Sequence, residues 1–154
     1  EMCIRDSGKN IAVGVNGAGS ARVYDLSGSN PTQVGNDINY GSNAAWRAIS
    51  LADDGNRIAI PVLNQKTGVF DWDGTSWKQL GEDIDGEAIL DYLGHSVSLN
   101  ADGTIVAIGT RDNDGNGYNS GHVRVYQYDI SNKHNMKWKA LKRRKHENKK
   151  RQEY

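Results

Sequence analysis

The chain has 154 residues, balances 19 Lys or Arg against 19 Asp or Glu, and contains one cysteine, Cys3. A single cysteine excludes an intrachain disulfide framework and a cysteine-based zinc site. No apolar run approaches the roughly eighteen residues that a membrane-spanning helix needs. The length of the chain leaves room for one ordinary domain or for about three repeats of 40 to 50 residues.

A short pattern recurs along the chain at an interval of 47 to 48 residues. Residues 52–60, ADDGNRIAI, align with residues 100–108, NADGTIVAI, and residues 8–13, GKNIAV, form an earlier copy. Self-similarity at this interval is typical of stacked supersecondary units, none of which can bury its apolar face alone. The repeat therefore predicts the organisation of the fold.

The first copy is the least complete. It predicts strands over 11–15, 21–25 and 33–35, in the second, third and fourth places of the unit, with no first strand. Residues 1–7 fall outside the pattern, and we interpret them as an artefactual leader of the kind that a translated sequencing adaptor leaves in a metagenomic sequence. The predicted partial unit covers 8–41.

The second copy, 42–90, predicts four strands over 46–51, 57–62, 68–72 and 77–81. The Asp-Gly pairs at 54–55 and 73–74 mark two of its turns, because Asp-Gly favours tight hairpin connections. Residues 33–38, QVGNDI, also match residues 79–84, QLGEDI. The link between units is therefore part of the repeat.

The third copy, 91–141, is the best preserved. Alternating residues 95–99, the dense apolar run 104–109, the alternating residues 122–128 and a short element around Trp138 predict four antiparallel strands. Such units are the blades of a β-propeller. We predict an all-β fold of antiparallel four-stranded meander blades of a β-propeller, incomplete at about two and three-quarter blades, and hence a fragment.

The best copy also resembles a known family. Residues 94–103, GHSVSLNADG, residues 106–109, VAIG, and residues 121–126, GHVRVY, resemble FG-GAP-type repeats, distant relatives of the integrin α-subunit propeller. The resemblance weakens in the second copy, where Pro61 stands in the place of Gly14 and Gly109. It implies an extracellular or cell-surface β-propeller that binds a protein or glycan ligand through its loops, with missing blades of the same propeller as partners. It implies no chemistry.

One loop of the third copy fits a calcium pattern. Residues 112–117, DNDGNG, match the start of a calcium-binding loop, in which Asp112, Asp114 and Asn116 would supply oxygen ligands to Ca²⁺. The twelfth place is Val123 rather than a bidentate glutamate, so any affinity would be weak, about 10⁻⁴ to 10⁻³ M. The alternative interpretation is a polar hairpin loop, since Asp-Gly and Asn-Gly are also strong turn formers.

The net charge of zero conceals two unlike parts. Residues 1–132 carry 9 Lys or Arg against 17 Asp or Glu, whereas residues 133–154 carry 10 against 2. The basic tail, 142–154, could neutralise phosphates. We favour a disordered or artefactual end, because such charge blocks are usually solvated, and we expect no nucleic-acid partner.

The remaining chemistry-bearing residues form no catalytic motif. The acidic run Glu82, Asp83, Asp85, Glu87 and Asp91 could hold an acid–base pair, but a solvated linker explains it as well. The four histidines, His95, His122, His134 and His146, are scattered over different predicted elements.

The leading hypothesis is therefore a non-enzymatic, adhesion-type binding module. The alternative is a fragment of a propeller-fold enzyme of lyase, hydrolase or quinoprotein type, with its active site in missing blades. A third interpretation is an intracellular scaffold propeller. The fold alone does not choose among them.

Overall fold

The computed structural model describes residues 2–6, 8–15, 19–42, 48–62, 66–86, 92–114, 117–131 and 136–141. All regular structure within these residues is β-strand. The first sheet contains β1 (Met2–Asp6), β2 (Asn10–Val15), β3 (Ser20–Asp25), β4 (Thr32–Gln33) and β5 (Ile38–Asn39). The second contains β6 (Ser50–Leu51), β7 (Arg57–Val62), β8 (Lys66–Trp72), β9 (Trp77–Gln79) and β10 (Ile84–Asp85). The third contains β11 (Leu93–Leu99), β12 (Ile105–Thr110), β13 (His122–Asp129) and β14 (Lys137–Ala140).

Each sheet is an antiparallel meander, in which strands consecutive in the chain are neighbours in the sheet. In the third sheet the order is β11, β12, β13, β14. The first two sheets add a short fifth strand, because the chain turns back after the fourth strand and pairs with the beginning of the third, β5 with β3 and β10 with β8. The prediction of an all-β fold built from meander blades is confirmed.

The outermost strand of the first sheet differs from the sequence-based expectation. The repeat left this place empty, and the structure fills it with β1, which pairs with β2 from Met2 opposite Val15 to Asp6 opposite Ile11. Pairing of this kind uses main-chain hydrogen bonds. A segment can therefore complete the sheet without carrying the sequence of the repeat.

The core lies in two layers between stacked sheets. Ile58, Ile60 and Phe70 of the second sheet pack against the first, and Ala59 and Val69 on the opposite face pack against the third. The second sheet is thus covered on both sides, which explains why β7 reads as an unbroken apolar run.

The third sheet is covered on one side among the described residues. Val106 and Ile108 are fully buried against the second sheet. Ala107 and Val125, which correspond to the fully buried Ala59 and Val69, are only half-buried. A dense apolar run such as residues 104–109 is typical of a strand covered on both faces, and among the described residues this coverage is observed for β7 rather than for β12.

A repeated tryptophan hydrogen bond joins the second sheet to the first and the third sheet to the second. The indole Nε1 of Trp77 donates to the carbonyl oxygen of Val34 at 2.8 Å, and that of Trp138 donates to Leu80 at 3.0 Å. In both links the next residue is a glycine with positive φ, and a Cβ on Gly35 would lie 2.4 Å from the ring of Trp72. The glycine of each repeated link therefore leaves space for the aromatic pair of the next sheet.

Candidate functional site

A surface depression of about 390 Å³ lies at one end of the third sheet. It is situated where β12 ends and β13 begins, since Thr110 is paired with His122. Its polar lining comes from three strands and from the connection between β12 and β13, and consists of His95, Ser96, Thr110, Arg111, Ser120 and His122. The four histidines lie on different predicted elements, and the structure brings two of them, His95 and His122, together here.

Two glycines give the depression its shape. A Cβ on Gly109 would lie 2.2 Å from Oγ of Ser96, so the glycine leaves room for that hydroxyl in its present position. Gly121 has φ of 63°, and a Cβ there would lie 2.6 Å from the carbonyl oxygen of Arg111. The main chain can therefore turn sharply into β13 beside the hydroxyl groups.

The charge of Arg111 is held in place from two sides. Its Nε donates to Oδ1 of Asp112 at 2.7 Å and its Nη2 donates to Oδ2 at 2.8 Å, a bidentate pair. The guanidinium also lies over the ring of Tyr92, 4.6 Å from its centre. The hydrogen bond from Arg111, followed by the charge of its guanidinium, lowers the pKa of Asp112.

In the connection between β12 and β13, the described residues 111–114 and 117–121 form hydrogen bonds with one another. The carbonyl oxygen of Asn113 accepts from the amide of Gly121 at 3.0 Å and from Oγ of Ser120 at 3.1 Å. The amide of Asn119, which has φ of 51°, donates to Oδ1 of Asp114 at 2.7 Å. At the tip, the side chain of Tyr118 is 90% exposed.

Two of the three residues predicted to bind calcium, Asp112 and Asp114, are described, and both accept hydrogen bonds from other residues. Both carboxylate oxygens of Asp112 accept from Arg111, and Asp114 accepts from Asn119. Asn116 lies outside the described residues. Among the residues that are described, no group of three or more His, Cys, Asp or Glu side chains could hold a metal ion.

At the corresponding end of the second sheet, described side chains pair with one another. There Nζ of Lys66 donates to Oδ2 of Asp83 at 2.6 Å, and the hydroxyl of Tyr40 donates to Oδ1 at 2.5 Å. Partial burial favours a raised pKa for Asp83, but the hydrogen bonds from Lys66, Tyr40 and Gln79 outweigh it and hold this pKa below its usual range. Burial, followed by the bond to Asp83, raises the pKa of Tyr40.

Asp83 was predicted as part of an acidic run with a catalytic or a solvated role, and the structure gives it a structural one. The first link repeats the arrangement in part, because Gln33 donates to Asp37 at 3.0 Å as Gln79 donates to Asp83 at 2.6 Å. Several residues of the other predictions lie outside the described part of the chain, namely Glu87, Asp91, His134, His146 and the tail 142–154.

Comparison with known proteins identifies the architecture. No family model matches the chain, and no curated protein matches it. Among solved structures, a protein provisionally assigned as a 6-phosphogluconolactonase from Bacteroides uniformis superposes with a TM-score of 0.65 at 14% identity, over 91% of this chain and 40% of that one. The β-propeller domain of Cps50 (Swd1) from Myceliophthora thermophila gives 0.59 at 14% identity, over 91% and 38%.

A third structure, Sqt1 of Saccharomyces cerevisiae, gives a TM-score of 0.58 at 15% identity over 92% of this chain and 34% of its own. The chain is built from β-propeller blades. Identities this low establish the fold alone, and the chain spans about two fifths or less of each of these structures. Within the described residues, no helix has the length and apolar character needed to cross a bilayer.

Proposed function

We propose that the chain is part of a non-enzymatic binding module, an extracellular or cell-surface β-propeller of FG-GAP type that binds a protein or glycan ligand through its loops. The observation that carries the proposal is Tyr118, an exposed aromatic side chain in a connection whose described residues form hydrogen bonds with one another. Rigid loops that present tyrosine beside a polar depression are typical of binding surfaces, because little conformational entropy is lost on contact.

The test is binding of the labelled chain to arrayed glycans and extracellular proteins, with Tyr118→Ala beside the wild type. We expect the variant to lose affinity about tenfold or more, as for a central aromatic contact. Ile130→Ala is the control, because Ile130 is similarly exposed but lies in the turn that follows β13, away from the depression. Equal binding by Tyr118→Ala and wild type would contradict the proposal.

Missing blades of the same propeller are part of this proposal. The open face of the third sheet supports them, because Ala107 and Val125 are half-buried where Ala59 and Val69 are sealed by a neighbouring sheet. Extending the chain by the next repeat of its gene should raise its melting temperature, and an unchanged value argues against a further blade.

A weak structural Ca²⁺ at Asp112, Asp114 and Asn116 is the second part of the proposal. Since Arg111 holds both oxygens of Asp112, Ca²⁺ would have to displace the guanidinium. Calorimetric titration should therefore show tighter binding by Arg111→Gln than by wild type. No heat at millimolar Ca²⁺ from either protein contradicts the site.

A hydrolase fragment is the second candidate function, favoured by the meeting of His95, His122 and Ser96 in one depression. Paired imidazoles can act as general acid and base. The structural neighbour provisionally assigned as a 6-phosphogluconolactonase makes a lactone the first substrate to test. Turnover that disappears in His122→Gln supports an enzyme, and no turnover favours the binding module.

A further inference from the structure

Each sheet has two faces, and each face carries its own kind of residue pair at the same register. On one face an aliphatic residue of the second strand lies opposite an aromatic residue of the third, in the pairs Ile11 with Tyr24, Ile58 with Phe70, and Val106 with Tyr126. On the other face an alanine lies opposite a valine, in the pairs Ala12 with Val23, Ala59 with Val69, and Ala107 with Val125. We call these the aromatic face and the alanine face of a sheet.

Both junctions inside the chain join the same two kinds of face. The aromatic face of the second sheet packs on the alanine face of the first, and one core cluster contains Ile58, Phe70, Ala12 and Val23. The aromatic face of the third sheet packs on the alanine face of the second, and the other cluster contains Val106, Tyr126, Ala59 and Val69. The chain therefore contains two examples of one interface.

Two faces have no neighbouring sheet among the described residues. On the aromatic face of the first sheet, Ile11 and Tyr24 are half-buried, whereas the equivalent residues of the second and third sheets are buried. On the alanine face of the third sheet, Ala107 and Val125 are half-buried as well. The two open faces are thus the two halves of the interface that the chain already forms twice.

The acceptor side of the tryptophan link is altered at the open face of the third sheet. The amide of Leu141 donates to the carbonyl oxygen of Val125 at 2.7 Å, as the amide of Leu80 does to the equivalent valine. Leu141 therefore takes the place of Leu80, but in the sequence Lys142 follows it where a glycine follows Leu80. Because the glycine is what leaves space for an aromatic pair, this face suits a sheet that has no such pair.

The first sheet is a sheet of this kind. When its link, residues 33–38, is aligned with residues 79–84, Pro31 stands in the place of Trp77. Since Tyr24 is equivalent to Phe70, Leu26 stands in the place of Trp72. The tryptophan donor is therefore missing from one open face and the glycine from the other, so the two faces match each other.

We propose that a second copy of this chain covers these faces, with the aromatic face of its first sheet on the alanine face of the third sheet. The inference rests on the propeller part of the proposed function and names the source of the missing blades. A contact between two unlike faces continues from copy to copy unless the assembly closes into a ring. Two copies supply six sheets, within the range of about four to eight blades of closed propellers, so the proposed assembly is a ring of two.

The central contact of each new junction is Val13. It occupies in β2 the place of Ile60 in β7 and of Ile108 in β12, which are both fully buried, but it is itself half-buried. A ring forms this contact twice, and the second junction closes between chains that are already associated. Because the loss of translational freedom is incurred once for two junctions, the closed pair is favoured over an open stack.

The experiment is sedimentation velocity of the chain between about 1 and 100 µM, a range in which transient interfaces associate. We expect the mass to rise from 16.9 kDa to twice that value. Val13→Glu and Ala107→Glu each place a charge on one open face, and each should weaken association at least about a hundredfold. Thr75→Glu is the matched control, because it adds the same charge in an exposed turn between β8 and β9 and should associate as wild type does.

A mixture of the two interface variants tests the head-to-tail arrangement. In a pair of one Val13→Glu chain and one Ala107→Glu chain, one junction contains both glutamates and the other contains neither. The mixture should therefore associate at a ratio of one to one, more weakly than wild type because one junction forms instead of two. In a contact between identical faces, one of the two variants would still associate with itself.

The milder variant Val13→Ala covers the case in which a glutamate unfolds the chain, which circular dichroism reveals. It removes two methyl groups from each junction without adding charge, and it should weaken association about tenfold. Association of Val13→Ala equal to that of wild type contradicts the assigned face.

The outcomes separate this inference from the broader function. A single-chain mass up to about 100 µM overturns the inference, and if extension by the next repeat still raises the melting temperature, the missing blades belong to the same chain and the proposed function stands. Unchanged association of both glutamate variants also overturns it, as does a folded mixture that stays monomeric. A mass that grows beyond two copies overturns the ring. A ring of two that binds no arrayed ligand supports the inference and contradicts the binding function.

Discussion

The second and third sheets end differently at the same point of the repeat. Lys66 and His122 are each the first residue of the third strand, paired with Val62 and Thr110 at the ends of β7 and β12. In the second sheet three residues separate these strands, and Lys66 closes onto Asp83. In the third sheet eleven residues intervene, and His122 borders an open depression instead.

The difference shows which parts of the repeat have similar sequences in the two sheets and which parts differ. Both sheets share the apolar strand interiors and the glycine in contact with the aromatic pair, because each sheet has to pack against its neighbour. The loop ends contribute little to that seal and can change at low cost. The second sheet uses its end to brace the link between blades, and the third presents polar groups to solvent.

The largest effect should come from breaking what the two sheets share. Ile60 and Ile108 occupy the same place in β7 and β12, and both are fully buried. Truncation to alanine at either position should destabilise the chain by about 2 to 5 kcal/mol. Denaturant unfolding of Ile60→Ala and Ile108→Ala measures this, and a cost far below that range at one of them would show that the two cores are not equivalent.

The next effect should distinguish the braced end from the open one. Asp83→Asn removes the charge that accepts from Lys66, Tyr40 and Gln79, and leaves a half-buried ammonium without its counterion. We expect a loss of about 1 to 3 kcal/mol in urea unfolding. Asp112→Asn, at the open end, should cost much less because Arg111 remains hydrated. Equal losses would remove the distinction.

The pH dependence of stability should follow the same carboxylate. Because the pKa of Asp83 is lowered in the folded chain, the unfolded state binds its proton first as the pH falls. The stabilisation is complete above about pH 4, the ordinary aspartate value, and is lost as the pH falls through the folded pKa. Wild type and Asp83→Asn should therefore converge in stability as the pH falls below about 4. A constant difference from pH 6 to pH 2 contradicts this assignment.

The repeat predicted the architecture because core sealing imposes a period on the sequence. The repeat predicted the bounds of β7 and β13 to within one residue. It also identified the recurring segment between units that contains β5 and β10. It did not predict the meeting of His95 and His122, which are 27 residues apart. Their proximity depends on the register of Thr110 with His122 and on an irregularity between Leu93 and Ser96 in β11, and neither leaves a periodic signal.

The smallest effect concerns one position that the two sheets fill in opposite ways. Thr67 and Val123 are each the second residue of the third strand. The hydroxyl of Thr67 is fully buried without a hydrogen-bond partner among the described residues, whereas Val123 is 67% exposed. Thr67→Val removes an unsatisfied polar group and should stabilise the chain by about 1 kcal/mol.

The reverse change, Val123→Thr, should stay within about 0.5 kcal/mol of wild type, because an exposed hydroxyl keeps its water and both residues suit a strand. Thermal unfolding of the two variants provides the comparison. Stabilisation by Val123→Thr as large as that by Thr67→Val would mean that strand preference, rather than burial by the neighbouring sheet, governs this position. The asymmetry follows if the third sheet covers Thr67 while the face bearing Val123 remains open.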